Sequence, residues 1–179
     1  DVGTEALTAT LTDGMLSGSQ PYGLYYQTTA QRQNFAFRDW GSYLVLGFLG
    51  ERHFAGYAES DSEKGYLFDQ SGEKSSLAKG QLLKILLDDD TETTITTDTN
   101  LQLEDGYELS IKSIDIEGNV VDLELIRDGT VVDSGKVSPS KDGATIADQT
   151  YIYKKDNGDM KDVVVIAVHF KNAFRGADQ

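Results

Sequence analysis

The stretch EDGYELSIKSIDIEGNVVDLELIRDGTVVDSGKV, residues 104–137, leaves little choice of backbone. Tyr107, Leu109 and Ile111 fall on one parity, and Val121, Leu123 and Leu125 alternate with Asp122 and Glu124. A period of two puts such residues on one face of a strand, whereas a helix would scatter them around its circumference. Ile114 and Ile116 take the opposite parity, so one extra residue near Lys112-Ser113 has to be absorbed, which a β-bulge does. Gly118-Asn119 and Asp128-Gly129 supply tight turns, because Gly, Asn and Asp tolerate the positive φ of primed hairpin turns. The expectation is an antiparallel meander that bends at the bulge.

The rest of the chain reads the same way. Leu7, Ala9 and Leu11 alternate with threonines in a half-buried strand closed by Asp13-Gly14. Tyr22 to Thr29 and Asn34 to Trp40 are aromatic-rich β segments, and Tyr43 to Leu49 is apolar on both parities, as in a strand covered on both faces. Arg52 to Ala58 follows, and Gln81 to Leu87 is read as a further strand because Gly80 disfavours a helix. Tyr151 and Tyr153 alternate in another strand, KKDNGDMKD reads as a loop, and Val163 to Phe170 as a buried central strand. Between them, residues 59–76 turn polar and charged around one apolar patch at Tyr66 to Phe68, which marks the boundary between an N-terminal subdomain, 1–80, and a C-terminal one, 81–179. The fold class is all-β: two small β-sandwich or partly closed barrel subdomains in tandem, mostly antiparallel.

Charge narrows the partners. Thirty acids against 16 bases give −14 over 179 residues, which repels phosphate backbones, so nucleic acid is excluded. With no cysteine there is no thiolate metal site, disulfide or cysteine nucleophile. No apolar run approaches the ~18 to 20 residues of a spanning helix, and DVGTEALT lacks the layout of a signal peptide. On these grounds the chain is either cytosolic or an excised mature piece.

Two acidic clusters are candidate ligands for a hard cation: Asp88, Asp89 and Asp90, and the loop residues Asp156 and Asp159. A helix-loop-helix calcium loop starting at Asp88 fails, since Thr93 and Thr99 stand where glycine and glutamate are needed. A solvated strand end explains the first cluster, and turn chemistry the second. His53 and His169 each sit beside a phenylalanine, neither near a nucleophile-elbow serine, and are read as structural. No carboxylate pair for glycoside hydrolysis stands out, and neither glycine-rich phosphate loop pattern occurs. Tyr22, Tyr25, Tyr26 and Trp40 would serve a carbohydrate-binding module if they formed one exposed platform, although core packing explains them as well. No Asn-x-Ser/Thr sequon is present.

Three blocks carry a resemblance: DWGSYLVLGFLGERHFAGY from Asp39; LLDDDTETTITTDTNLQLEDGYEL with the rest of the meander; and TYIYKKDNGDMKDVVVIAVHFKNAFRG from Thr150. In this order they are similar to the S-layer duplication domain of methanogenic archaea. The resemblance implies β-sandwich subdomains, repeated in tandem, that tile a porous two-dimensional sheet outside the cell. It implies a structural role as exoskeleton and sieve, with no enzyme activity; no cofactor is expected, weak divalent cation binding at the acidic clusters being all that the residues themselves leave open. The implied partners are other copies or an adjacent tandem unit, with membrane contact only through an anchor this chain lacks. It has one copy of the unit and reads as an excised repeat or a short member. On this reading Asp88, Asp89, Asp90, Asp156, Asp159 and Asp162 are the candidates to line a pore with charge, and the Asp88–Asp90 cluster belongs to the soluble surface at a subdomain boundary. The alternative is a carbohydrate-binding or Ca-dependent adhesion β module.

Overall fold

A computed structural model describes residues 5–12, 15–16, 23–57, 82–115, 119–158 and 160–173. The expected polar stretch 59–76 with its apolar patch, as well as Tyr22, Gly118 and Asp159, lie outside the described residues. Among those described, residues through Asp88 form one compact unit and residues from Asp89 a second. Strands dominate both, every pairing is antiparallel, and no closed barrel forms among the described residues. None of the described helices is long and apolar enough to cross a membrane.

In the first unit β1 (Glu5–Ala9) pairs with β4 (Leu24–Thr28), and the short β2 (Leu11–Thr12) with β3 (Met15–Leu16). A four-stranded sheet runs β5 (Gln31–Asn34), β6 (Ser42–Phe48), β7 (Glu51–Tyr57), β8 (Leu83–Lys84). Tyr43, Val45, Leu46 and Ala55 are buried at its centre. Burial of the consecutive Val45 and Leu46 matches the apolar run on both parities of β6. Three expectations fail in this unit. The segment Asn34 to Trp40 leaves the sheet after Asn34 and closes a loop, with Phe35 N–H on the Gly41 carbonyl at 3.0 Å and a 3-10 turn at Arg38–Trp40. Gly41 ends that turn at φ 83, where a side chain would be strained. Phe35, Phe37 and Trp40 pack edge to face there, so their apolar surface feeds an aromatic cluster instead of a strand face. The strand expected over Gln81 to Leu87 shrinks to two residues beside β7, because the chain then turns its Asp88 side chain into the 35–41 loop. Leu7 and Leu11, expected to be half-buried, are exposed; β1 pairs only with β4 among the described strands.

The second unit is built on the meander. β10 (Tyr107–Asp115), β11 (Val120–Arg127) and β12 (Thr130–Val137) pair in sequence, and β9 (Leu101–Gln102) joins the far side of β10. The bulge falls where the parity switch requires it: Ile111 faces Leu123, Ser113 faces Asp122, and Lys112 is left over. Lys112 then reaches Glu124, while Lys136 and Ser113 converge on Asp122, giving the outer face a lattice of exposed charge pairs. Asp128 and Gly129 turn at φ 50 and 78, a primed hairpin. The inner face, Tyr107, Leu109, Ile111, Val121, Leu123, Leu125 and Val137, is buried together with Tyr151, each full burial of such a side chain stabilising by about 1.5–3 kcal/mol.

A second layer covers that face. It is the ribbon of β13 (Thr150–Asn157) and β14 (Met160–His169), whose Tyr153, Ile166 and Val168 pack on the core with Phe170 beyond. The arrangement is sandwich-like, as expected. Two details differ from the sequence reading. KKDNGDMKD is mostly strand: β13 continues to Asn157 and β14 begins at Met160, with the turn in between. Val163 to Phe170 is no central strand, since among the described residues β14 pairs only with β13. A register shift leaves Val165 between the Tyr153–Ile166 and Lys154–Val164 pairs, and it is exposed. The polar tip and the apolar body thus form one ribbon, one side of which serves the core.

Between β12 and β13 the chain is tied by side chains. Asp148 accepts from the Thr145 N–H at 3.0 Å, the Thr145 hydroxyl at 2.8 Å and the Lys141 ammonium at 3.1 Å. Those donors, Thr145 first, hold its pKa down to about 2. Ser140 clasps Ala173 through both backbone groups at 2.8 Å, which fixes the chain beyond β14.

Candidate functional site

The three consecutive aspartates have three different fates. Asp88 accepts a hydrogen bond from the Ala36 N–H on one oxygen and from the Tyr43 hydroxyl on the other, each at 2.9 Å. Tyr43 is buried under Phe35 and Phe54, so its burial first, and the Asp88 carboxylate second, push its pKa well above the usual phenol range. Asp88 is therefore an internal acceptor of the first unit. Asp89 accepts from the Thr91 N–H and hydroxyl at 3.2 and 2.8 Å, a local turn. Asp90 lies near Lys171, which binds Glu92 at 2.6 Å; Glu92 first, and Asp90 last, raise the lysine's pKa. The side chains point to separate partners.

At the β13–β14 tip, Asp156 pairs with Lys161 at 2.6 Å and accepts from the Asp162 N–H at 3.2 Å, and these two, the lysine first, lower its pKa. Asp162 itself adopts φ 53. Of the carboxylates singled out in the sequence, Asp89, Asp90 and Asp162 are exposed, and among the described residues no lysine or arginine lies within ion-pair distance of them. Among the described residues no group of three or more His, Asp or Glu side chains could hold a metal ion.

The histidines belong to different units. His53 Nδ1 lies 3.2 Å from the Glu51 carbonyl in the first unit, edge-on to Phe48, and His169 pairs in register with Thr150 in the second. The aromatic platform fails on parity: Tyr25 and Tyr26 are neighbours on β4 and point to opposite faces, and Trp40 is part of the Phe35–Phe37 cluster.

One constellation had no counterpart in the sequence reading. Glu5, Tyr26 and the Leu49-Gly50 turn between β6 and β7 form a closed set: the Tyr26 hydroxyl donates to Glu5 and accepts from the Leu49 N–H at 3.0 Å, and the Gly50 N–H reaches both Glu5 oxygens at 3.3 and 3.4 Å. Leu49 sits at φ 52 and Gly50 at φ 84. The signal available beforehand was the tetrad FLGE, a leucine where a primed turn asks for Asn, Asp or Gly.

Sequence comparison supplies what geometry alone does not. The S-layer protein family matches residues 1–179. The major S-layer protein of Methanosarcina mazei is 32% identical over 184 residues, covering 99% of this chain and 24% of the relative. That of Methanosarcina acetivorans is 32% identical over 183 residues with the same coverage, and that of Methanosarcina barkeri 28% identical over 182. The chain spans about a quarter of the length of these relatives, 24% in each case. With all 179 residues inside the family match, and an all-β fold of the kind expected of its units, the chain belongs to the S-layer protein family.

Proposed function

We propose that this chain is a tile of an S-layer, a module that serves at the cell surface as part of a porous two-dimensional protein lattice, with copies of itself or a neighbouring unit as partners. The observation that carries the reading is the family match over the whole chain. The fold is consistent with it: the second unit buries one sheet face and carries paired charges on the other, a packed module with its own core. A non-enzymatic role follows from the same family. Self-contacts in such a lattice are small individually and act through their number.

Antibodies raised against the 179-residue chain test this on whole cells of the source organism. Immunogold label spread evenly over the outer surface, in register with an ordered array, is the expected result. Label confined to the cell interior would overturn the reading.

A further inference from the structure

We propose that the β1–β4 ribbon and the Leu49-Gly50 turn form a self-contact face, which meets the same face of a second copy of this chain. The inference deepens the lattice reading and rests on it.

Strain is the first observation. The β6–β7 turn has positive φ at both central residues, and a leucine occupies the first of them. The meander makes its equivalent turn with Asp128-Gly129, residues suited to that backbone. The Leu49 side chain is 73% exposed, so burial within the unit does not repay the strained backbone. The turn is also held in place, since Tyr26 and Glu5 bind the backbone N–H groups of Leu49 and Gly50. An outlier that is fixed by its surroundings and displays an apolar side chain is what a docking contact requires.

The surroundings extend the knob into a patch. In the β1–β4 register Leu7 faces Tyr26 and Ala9 faces Leu24, so these residues share one side of the ribbon with Glu5. Leu7 and Leu24 are each 65% exposed, and Phe48, 39% exposed, packs edge-on to Tyr26 at 5.4 Å. Four exposed apolar side chains thus surround one tyrosine that also carries the turn.

Charge selects the occupant. Two copies of a chain with net charge −14 repel across most approaches. Residues 5–12 and 23–30 contain a single charged side chain, Glu5, whose oxygens are taken by Tyr26 and the Gly50 N–H. Like copies therefore bring one carboxylate each to this ribbon, and two strongly acidic chains oppose each other least where their surfaces carry so little charge. The same patch on each copy satisfies that condition and closes a two-fold contact.

Sedimentation velocity on the 179-residue chain over a concentration series tests the face, with Leu49→Asn as the main variant and Leu7→Lys with Leu24→Lys as the second. Asparagine suits the left-handed turn, so the variant should melt no lower than the parent while its self-association weakens about tenfold or more. The double lysine variant should remain monomeric at every concentration. Association unchanged in both variants overturns the proposal and leaves the lattice reading to the surface labelling. An unsubstituted chain that stays monomeric throughout, or associates only when another envelope component is added, also overturns it.

Discussion

Asp88 illustrates how a residue in an acidic run can leave the surface. Its two oxygens are claimed by groups 52 and 45 positions away, the Ala36 N–H and the Tyr43 hydroxyl, and no local pattern announces partners at that distance. Sequence reading treated Asp88, Asp89 and Asp90 alike because their composition and spacing are alike; only tertiary packing separates them. Replacing Asp88 by Ala leaves a hydroxyl on a buried tyrosine and a loop N–H without their acceptor, which should cost about 1–3 kcal/mol. Asp89→Asn keeps an oxygen for Thr91 and should stay within about 0.5 kcal/mol of the parent. Urea unfolding followed by tyrosine fluorescence gives both numbers from midpoint shifts at constant slope. Equal midpoints for the two variants would mean that the Tyr43–Asp88 bond contributes nothing in solution.

At the level of elements, the meander was legible almost residue by residue. Its period, its Asp128-Gly129 turn and its bulge are local properties, set by short-range backbone preferences and by where Cβ atoms point in a strand. The ribbon β13–β14 was misread for a related reason. Apolar residues on both parities suggest a strand covered on both sides, but a register shift at Val165 redistributes them, and such shifts leave no signature when every neighbour is apolar. The 35–41 loop was hidden by its aromatics, which serve a strand or a cluster equally well. Gly135 carries no local signal of its role, which depends on a residue of another strand. A Cβ there would lie 2.7 Å from the ring of Tyr151, and that ring is buried and tied to Asp133 through its hydroxyl at 2.6 Å, so it has nowhere to move. Gly135→Ala should therefore destabilise the second unit by about 1–3 kcal/mol through overpacking. Each unit has its own buried set, Tyr43 with Val45 and Leu46 in one and the eight-residue core in the other. If the units unfold independently, calorimetry will resolve two transitions, with Gly135→Ala lowering one and Asp88→Ala the other. A single transition displaced by both substitutions would show that the units unfold as one.

For the whole molecule the question is what a charge of −14 does in a porous sheet. Acidic surfaces keep many proteins soluble, and that alone predicts no selectivity. A filter requires unneutralised carboxylates at an opening, and the candidates are now unequal. Asp88 turns both oxygens into its own unit, and Asp156 is paired with Lys161, so neither is a free carboxylate at the surface. Asp89, Asp90 and Asp162 are exposed, and among the described residues none of them pairs with a lysine or arginine. The field of such groups reaches about 10 Å at ~0.1 M salt and about 3 Å at ~1 M, so a narrow opening lined by them discriminates at the lower ionic strength and loses discrimination at the higher. In isolated sheets, a cationic dye should permeate faster than an anionic dye of matched size at low salt, and the two rates should converge as salt rises. Changing Asp89 and Asp90 together to Asn should narrow the difference, while Asp88→Asn leaves it nearly intact because that carboxylate is turned into its own unit. Equal dye rates at low salt would rule out a filter. Preserved selectivity in the Asp89/Asp90 variant would confine any filter to other carboxylates, among which Asp162 at the β13–β14 tip is the next to replace.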